Sequence, residues 1–314
     1  MTSFRKLSVI STVATLALIT LGAVVRSTDS GLGCSDHWPG CNGSLIPDFT
    51  NHQVVIEFSH RFVALIVMIL IATMASRAFK ARDTQPQLLV PSVSALALVL
   101  FQAGLGAVVV KLELEAASVV IHMVTAMSLL ALLIYIAVLA GPSSSAFHTH
   151  PVDAQLSKTM RRAALAVLAL MAVGSYMSGV EGSGRVFNDW PLMDGALIPD
   201  LGIELMAVHF FHRAAALVVG LALVVAAMGV LRRKSEFPIA SKLVHAAIGL
   251  FAVEVLIGAA NVWFDLNPVV VTLHLLVSAC IWAALFAASL MLSPSLRTKL
   301  QSSPAPAPSA RATA

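Results

Sequence analysis

A chain of 314 residues that is 58% hydrophobic and only 11% charged carries too little polar surface to close a water-soluble core of its size. The net charge of +4 does not signal a nucleic-acid partner, because the basic residues sit in short connections between apolar runs and no zinc-finger, helix-turn-helix or single-strand-binding pattern accompanies them. Those runs are about 20 residues long and do not alternate in polarity, which excludes a β-barrel and predicts an all-α polytopic membrane protein.

The first apolar run follows Lys6 and ends at Val25. It is long enough to span, and no small-x-small cleavage site precedes Arg26, so it reads as a retained first helix and not a signal peptide. In chain order the spans fall at about 8–25, 54–76, 88–110, 117–140, 162–180, 205–231, 241–263 and 269–291, eight in all. Their connections alternate in charge. Arg5 and Lys6, then Arg77, Lys80 and Arg82, then Lys158, Arg161 and Arg162, then Arg232, Arg233 and Lys234, then Arg297 and Lys299 fall on one side. Asp29, Asp36, Asp48, Glu113, Glu115, Glu181, Asp189, Asp194, Asp200 and Asp265 fall on the other. Lys and Arg mark the cytoplasm, so both termini are expected inside a bacterial cytoplasmic (inner) membrane. The Ser-, Pro- and Ala-rich segment 292–314 reads as a disordered cytoplasmic tail.

An internal repeat organises the rest. Trp38-Pro39 recurs as Trp190-Pro191, Leu45-Ile46-Pro47-Asp48 as Leu197-Ile198-Pro199-Asp200, His60-Arg61 as His212-Arg213, and His122 as His274, each pair 152 positions apart without a gap. Four spans per repeat make both halves enter the membrane in the same direction. The fold expected is therefore two tandem four-helix bundles related by a pseudo-two-fold axis along the membrane normal. The halves are 1–140 and 162–291, joined by a cytoplasmic linker at 141–161.

The histidines carry the chemistry. His60 and His122 each lie about six residues inside a span that starts on the acidic side, on the order of 9 Å below the boundary. His212 and His274 repeat the arrangement. Two imidazoles on two helices at one level are what a porphyrin held between helices requires of its axial ligands. One intramembrane histidine alone reads more simply as a satisfied polar residue; four at matched depth in a duplicated pattern favour haem. Zinc or copper fits less well, since no cysteine stands at that depth.

Arg61 and Arg213 follow ligand histidines and suit haem propionates, with outward snorkelling as the alternative. Glu57 shares a helical face with His60, and its counterpart is His209. A carboxylate in one half only suggests that this half does chemistry, with packing or an ion pair with Arg61 as the alternative. Cys34 and Cys41 also occur in one half only, opposite Val186 and Met193. A disulfide between them is sterically reasonable, and either a structural staple or a redox-active pair fits the sequence. Gln102 and Glu254 are repeat-related and intramembrane, Cys280 reads as a small apolar residue, and Gly104-x-Gly106 reads as helix packing. His37, His52, His148, His150 and His245 follow no such pattern.

Taken together, Glu57-x-x-His60-Arg61, the loop from Gly31-Leu32-Gly33-Cys34 to Trp38-Pro39-x-Cys41-Asn42-Gly43, and His122, His212 and His274 resemble the haem A synthase family over about residues 8–291. The resemblance implies an oxidoreductase acting on a porphyrin methyl group. It would oxidise the C8 methyl of haem O to a formyl group through a hydroxymethyl intermediate, for cytochrome oxidase. It further implies that His60 and His122 hold the substrate haem, that His212 and His274 hold a haem B cofactor, and that Glu57 is the catalytic carboxylate. Cys34 and Cys41 match family cysteines that can form a disulfide. Handover from a haem O synthase and delivery to cytochrome oxidase assembly factors are implied, alongside membrane lipid; a homo-oligomer stays open. The competing class is a di-haem b-type cytochrome linked to quinone, and a parallel-repeat transporter would explain the duplication alone.

Overall fold

The computed structural model describes residues 3–35, 40–44, 47–141, 151–180 and 182–301. Eight helices among them are long and apolar enough to cross a membrane: α1 (Ser3–Ser27), α2 (His52–Lys80), α3 (Leu89–Lys111), α4 (Ala116–Leu139), α5 (Ala154–Gly179), α6 (Glu204–Leu231), α7 (Pro238–Trp263) and α8 (Pro268–Met291). In hydrocarbon every backbone group must find its partner within the chain, so these Val- and Ile-rich runs are helical despite their modest propensity in water. Caps set the starts. The side chain of Asn51 accepts from Gln53 N–H, that of Glu115 from Ala117 and Ser118, that of Asp153 from Gln155 and Leu156, and that of Asn267 from Val269. Pro238 and Pro268 stand at the first helical position, where a missing N–H costs nothing.

Two boundaries differ from the sequence reading. α5 starts at Ala154, well before 162, because the apolar run measures membrane thickness while the Asp153 cap and its own first turns carry the helix into water, with Lys158, Arg161 and Arg162 on it. In the segment read as a disordered tail, a short helix α9 (Pro294–Gln301) forms and buries Leu296 against Leu88, Val138 and Leu139. Composition alone hid that anchor. Trp38-Pro39, Leu45-Ile46, His37, Asp36, Glu181, His148, His150 and the segment 302–314 lie outside the described residues.

Helix α1 packs on α2, α2 on α3, α3 on α4 and α4 back on α1; α5, α6, α7 and α8 close a second ring in the same order. The rings meet through α1 on α8, α4 on α5 and α4 on α8. One core cluster runs through the second ring and takes in Met123, Met127 and Leu130 of α4. Ala164, Ala227, Ala240, Ala247, Ala279 and Ala288 within it let backbones approach closely, the usual currency of helix association in lipid. A second cluster, including Ile71, Met74, Ala95 and Leu133, fills the first ring.

Repeat-related contacts occur in pairs. Ser27 Oγ meets Pro268 O at 3.4 Å, and at the related positions a Cβ on Gly179 would lie 2.6 Å from that of Ala116. Arg26 Nη2 donates to Ser178 O at 3.1 Å, joining the same position of the two repeats. The α3–α4 and α7–α8 turns match in backbone, with φ of 52° and 64° at Glu113 and Leu114 and 47° and 55° at Asp265 and Leu266. The left-handed region is uncommon for leucine, so its recurrence shows that the turn geometry itself is duplicated.

Candidate functional site

Each ligand-candidate histidine faces a glycine on the preceding helix. A Cβ on Gly22 (α1) would lie 3.3 Å from Cε1 of His60 (α2), and one on Gly106 (α3) 3.5 Å from Cε1 of His122 (α4). In the second ring, a Cβ on Gly174 (α5) would lie 2.8 Å from Cε1 of His212 (α6), and one on Gly258 (α7) 3.3 Å from Cε1 of His274 (α8). Gly22 and Gly174 are repeat-related, as are Gly106 and Gly258. The glycines therefore belong to the site. In the sequence Gly106 reads as helix packing, and nothing in their own runs marks Gly22, Gly174 or Gly258 except the repeat spacing.

The rings share one orientation. Nδ1 of His60, His122, His212 and His274 is buried without a hydrogen bond, and Nε2 is neither buried in that way nor bonded. Imidazoles whose Nε2 is left open among apolar helices are costly unless that nitrogen has another task. Neutral imidazole with Nε2 free is the form that binds iron, so the residues present fit haem. His60 and His212 stand eight residues beyond the first residue of α2 and α6, and His122 and His274 six beyond that of α4 and α8.

Around these pairs the halves differ. Glu57 is 3% exposed, and both its oxygens are engaged. Oε2 accepts from the backbone N–H of Cys34 at 2.7 Å, and Oε1 pairs with Arg61 Nη2 at 2.5 Å. Arg61 Nη1 also donates to Gly40 O. A disulfide joins Cys34 to Cys41, so the carboxylate, the guanidinium and the stapled loop form one buried unit. The Cys34–Glu57 bond links positions 23 apart through a backbone N–H, and no sequence pattern announces it. In the second half His209 takes the Glu57 position, 4% exposed, with its ring edge-to-face on Phe187 at 5.2 Å.

Arg213 holds its loop as Arg61 does, donating to Leu192 O at 2.9 Å and Asp189 O at 3.3 Å over the Phe187 ring. Both arginines thus grip loop carbonyls as well as standing beside ligand-candidate histidines. Each loop carries a two-residue hairpin. Cys41 and Ser44 exchange both backbone bonds across Asn42-Gly43, and Met193 and Ala196 do so across Asp194-Gly195. Asn-Gly and Asp-Gly supply the positive φ at both central positions that such turns demand. Backbone N–H groups of Gly195 and Asp194 bond the Asp189 carboxylate and hold it below the ordinary carboxylate value.

Gln102 and Glu254 sit at related positions with different partners. Gln102 Nε2 donates to His122 O at 2.7 Å. Glu254 accepts from Ser278 Oγ, and its Oε1 lies 3.0 Å from His274 Nδ1, off the direction of a ring N–H bond. Cys280 is a free, half-buried thiol.

The fold and site define an eight-span, all-helical membrane protein with two histidine pairs suited to haem. The family described as cytochrome oxidase assembly protein (COX15-CtaA) matches residues 5–286, and the chain belongs to it. Similar relatives are a haem A synthase of Symbiobacterium thermophilum, 30% identical over 294 residues (91% of this chain, 94% of the relative), and one of Alkalihalophilus pseudofirmus, 28% identical over 286 residues (88% and 93%). A haem A synthase of Shouchella clausii is 28% identical over 229 residues, 70% of this chain and 74% of the relative.

Proposed function

We propose that the protein makes haem A, oxidising the C8 methyl of haem O to a formyl group through a hydroxymethyl intermediate. The observation that carries this reading is the fourfold arrangement of glycine-seated imidazoles, each with Nδ1 buried and Nε2 free. His60 and His122 would hold the substrate haem in the first ring. His212 and His274 would hold a haem B cofactor in the second. Haem B, when bound, supplies reversible one-electron chemistry.

Glu57 is the residue proposed to separate the reacting half from the other. Each of the two oxidations would take two electrons from the methyl carbon to an acceptor outside the chain and would develop positive charge there. A fixed anion one turn before a ligand histidine stabilises that charge, and holding it by Cys34 N–H and Arg61 removes the cost of orienting it. His209, against Phe187 in the second half, offers no such anion. Arg61 and Arg213 would meet the haem propionates, with their loop carbonyls fixing their direction. The rings would be related by a two-fold axis along the membrane normal, as the paired contacts of Ser27 and Gly179 suggest. The disulfide loops would face out of a bacterial cytoplasmic membrane, with the basic end and both termini inside.

The test is to express the protein in a host supplying haem O, extract the bound haems and separate them by chromatography. Haem A with its hydroxylated precursor is expected. Haem B alone would replace this reading with a b-type electron-transfer cytochrome, and no haem at all would favour a transporter.

A further inference from the structure

Glu254 is an acid inside the membrane span α7, 7% exposed, and the proposed oxidation makes no use of it. Among the described residues no Lys or Arg pairs with it. Its polar neighbours both stand on α8. Oε1 accepts from Ser278 Oγ and lies 3.0 Å from His274 Nδ1, while Oε2 is buried with no partner. A carboxylate in hydrocarbon without a cation is costly, so its position calls for a positive charge from another source. Gly258 follows one turn later on the same face of α7 and also meets the His274 ring, where a Cβ would lie 3.3 Å from Cε1. The ring N–H points off Oε1 as it stands, and the missing Cβ leaves the imidazole room to turn onto it. The first ring differs at the related position. Gln102 is neutral there, and its Nε2 donates to the backbone carbonyl of His122 at 2.7 Å.

We propose that Glu254 is a positioning residue for the second-half haem: it accepts the Nδ1–H of His274 and makes that imidazole a stronger iron ligand than His122. The proposal rests on the reading of His212 and His274 as haem ligands. An imidazole that binds iron through Nε2 carries its proton on Nδ1, and a carboxylate accepting that proton's hydrogen bond fixes the tautomer and raises the basicity of the ring. Ser278 holds the same oxygen in place from one turn further along α8. The ferric haem core has a net positive charge and the ferrous core has none, so a buried carboxylate favours the ferric form and lowers the reduction potential. The same charge supplies the partner that Glu254 otherwise lacks. The difference between Glu254 and Gln102 then matches the difference in task. A resident cofactor is held firmly, whereas a substrate haem must enter and leave, and the neutral Gln102 gives His122 no such anchor.

The experiment uses the full chain carrying His60→Ala, so that only the second-half site is read, expressed in a host that makes haem B alone and purified in mild detergent. The midpoint potential is followed at the visible band of the reduced haem, and loss of ferric haem is followed after adding excess apomyoglobin. Glu254→Gln keeps the shape and an acceptor for Ser278 but removes the charge, and should lose ferric haem about ten-fold faster than this parent. With the ferrous form held as before, that ten-fold change raises the midpoint by about 59 mV. Glu254→Asp keeps the charge and should lie nearer the parent than Glu254→Gln in both readings. A midpoint and loss rate in Glu254→Gln equal to the parent's, or Glu254→Asp further from the parent than Glu254→Gln, would assign Glu254 to packing and overturn the proposal. Haem absent from the parent, or retained with an unchanged spectrum after a further His274→Ala change, would overturn the haem reading of this pair and the proposal with it. Helix content by circular dichroism checks that each variant is folded.

Discussion

At the residue scale the four glycines make graded predictions, because the room beside each imidazole differs. Gly174→Ala places a Cβ 2.8 Å from His212 Cε1, closer than real Cβ contacts come, and should displace that ring and empty the second-half haem site. Gly258→Ala and Gly22→Ala, at 3.3 Å, should weaken haem retention at His274 and His60 by less. Gly106→Ala, at 3.5 Å, is ordinary contact, and Gly104→Ala meets nothing within 4 Å and should be silent. Haem content per protein, read from the pyridine-treated absorption spectrum, checks the order; a loss in Gly104→Ala as large as in Gly174→Ala would contradict it. The histidines were legible in the sequence because their depth and repeat spacing stand out against hydrocarbon. Their glycine partners were not, since one more small residue in an apolar run carries no mark until the partner helix is in place. Glu57 was legible as an asymmetry, yet its bond to Cys34 N–H needed the fold.

At the element scale two hydrogen-bonded carboxylates, the helix cap Asp153 and the loop residue Asp189, contribute to acid stability. The Leu156 N–H, then Arg233, hold the Asp153 carboxyl below its ordinary value, and Gly195 N–H does the same for Asp189. A carboxyl whose folded pKa is depressed contributes stability above its unfolded pKa of about 4 and loses it as pH falls through the lower folded value. Thermal midpoints should therefore be level above about pH 5 and fall below about pH 4. Asp153→Ala should cost about 1 kcal/mol by removing the α5 cap and should flatten part of that fall. A pH profile identical to the parent's would show that the cap contributes nothing. The apolar spans were readable because hydrocarbon leaves the backbone no choice but helix. Where water competes, composition misled: α5 begins eight residues before its apolar run, and α9 is held by one buried leucine in a Ser/Pro-rich segment.

At the scale of the whole molecule, two sites of common origin would do different work. Each histidine pair belongs to one ring, so the haems should load independently. His212→Ala should lose the second-half haem and keep substrate binding at His60 and His122, and His60→Ala should do the reverse; loss of both haems from either variant would contradict separate sites. The duplication itself was plain in the sequence, and the contacts between rings were not, because Arg26 on Ser178 and Ser27 on Pro268 involve residues that look unremarkable in their own helices.

The most direct measurement is the haem content of Glu57→Gln, which keeps an acceptor for Cys34 N–H and removes the charge. After expression with haem O, extraction and chromatography should find both sites filled, haem O accumulated and haem A absent. Normal haem A from that variant would contradict the claim that this buried carboxylate is what makes the first histidine pair a site of reaction.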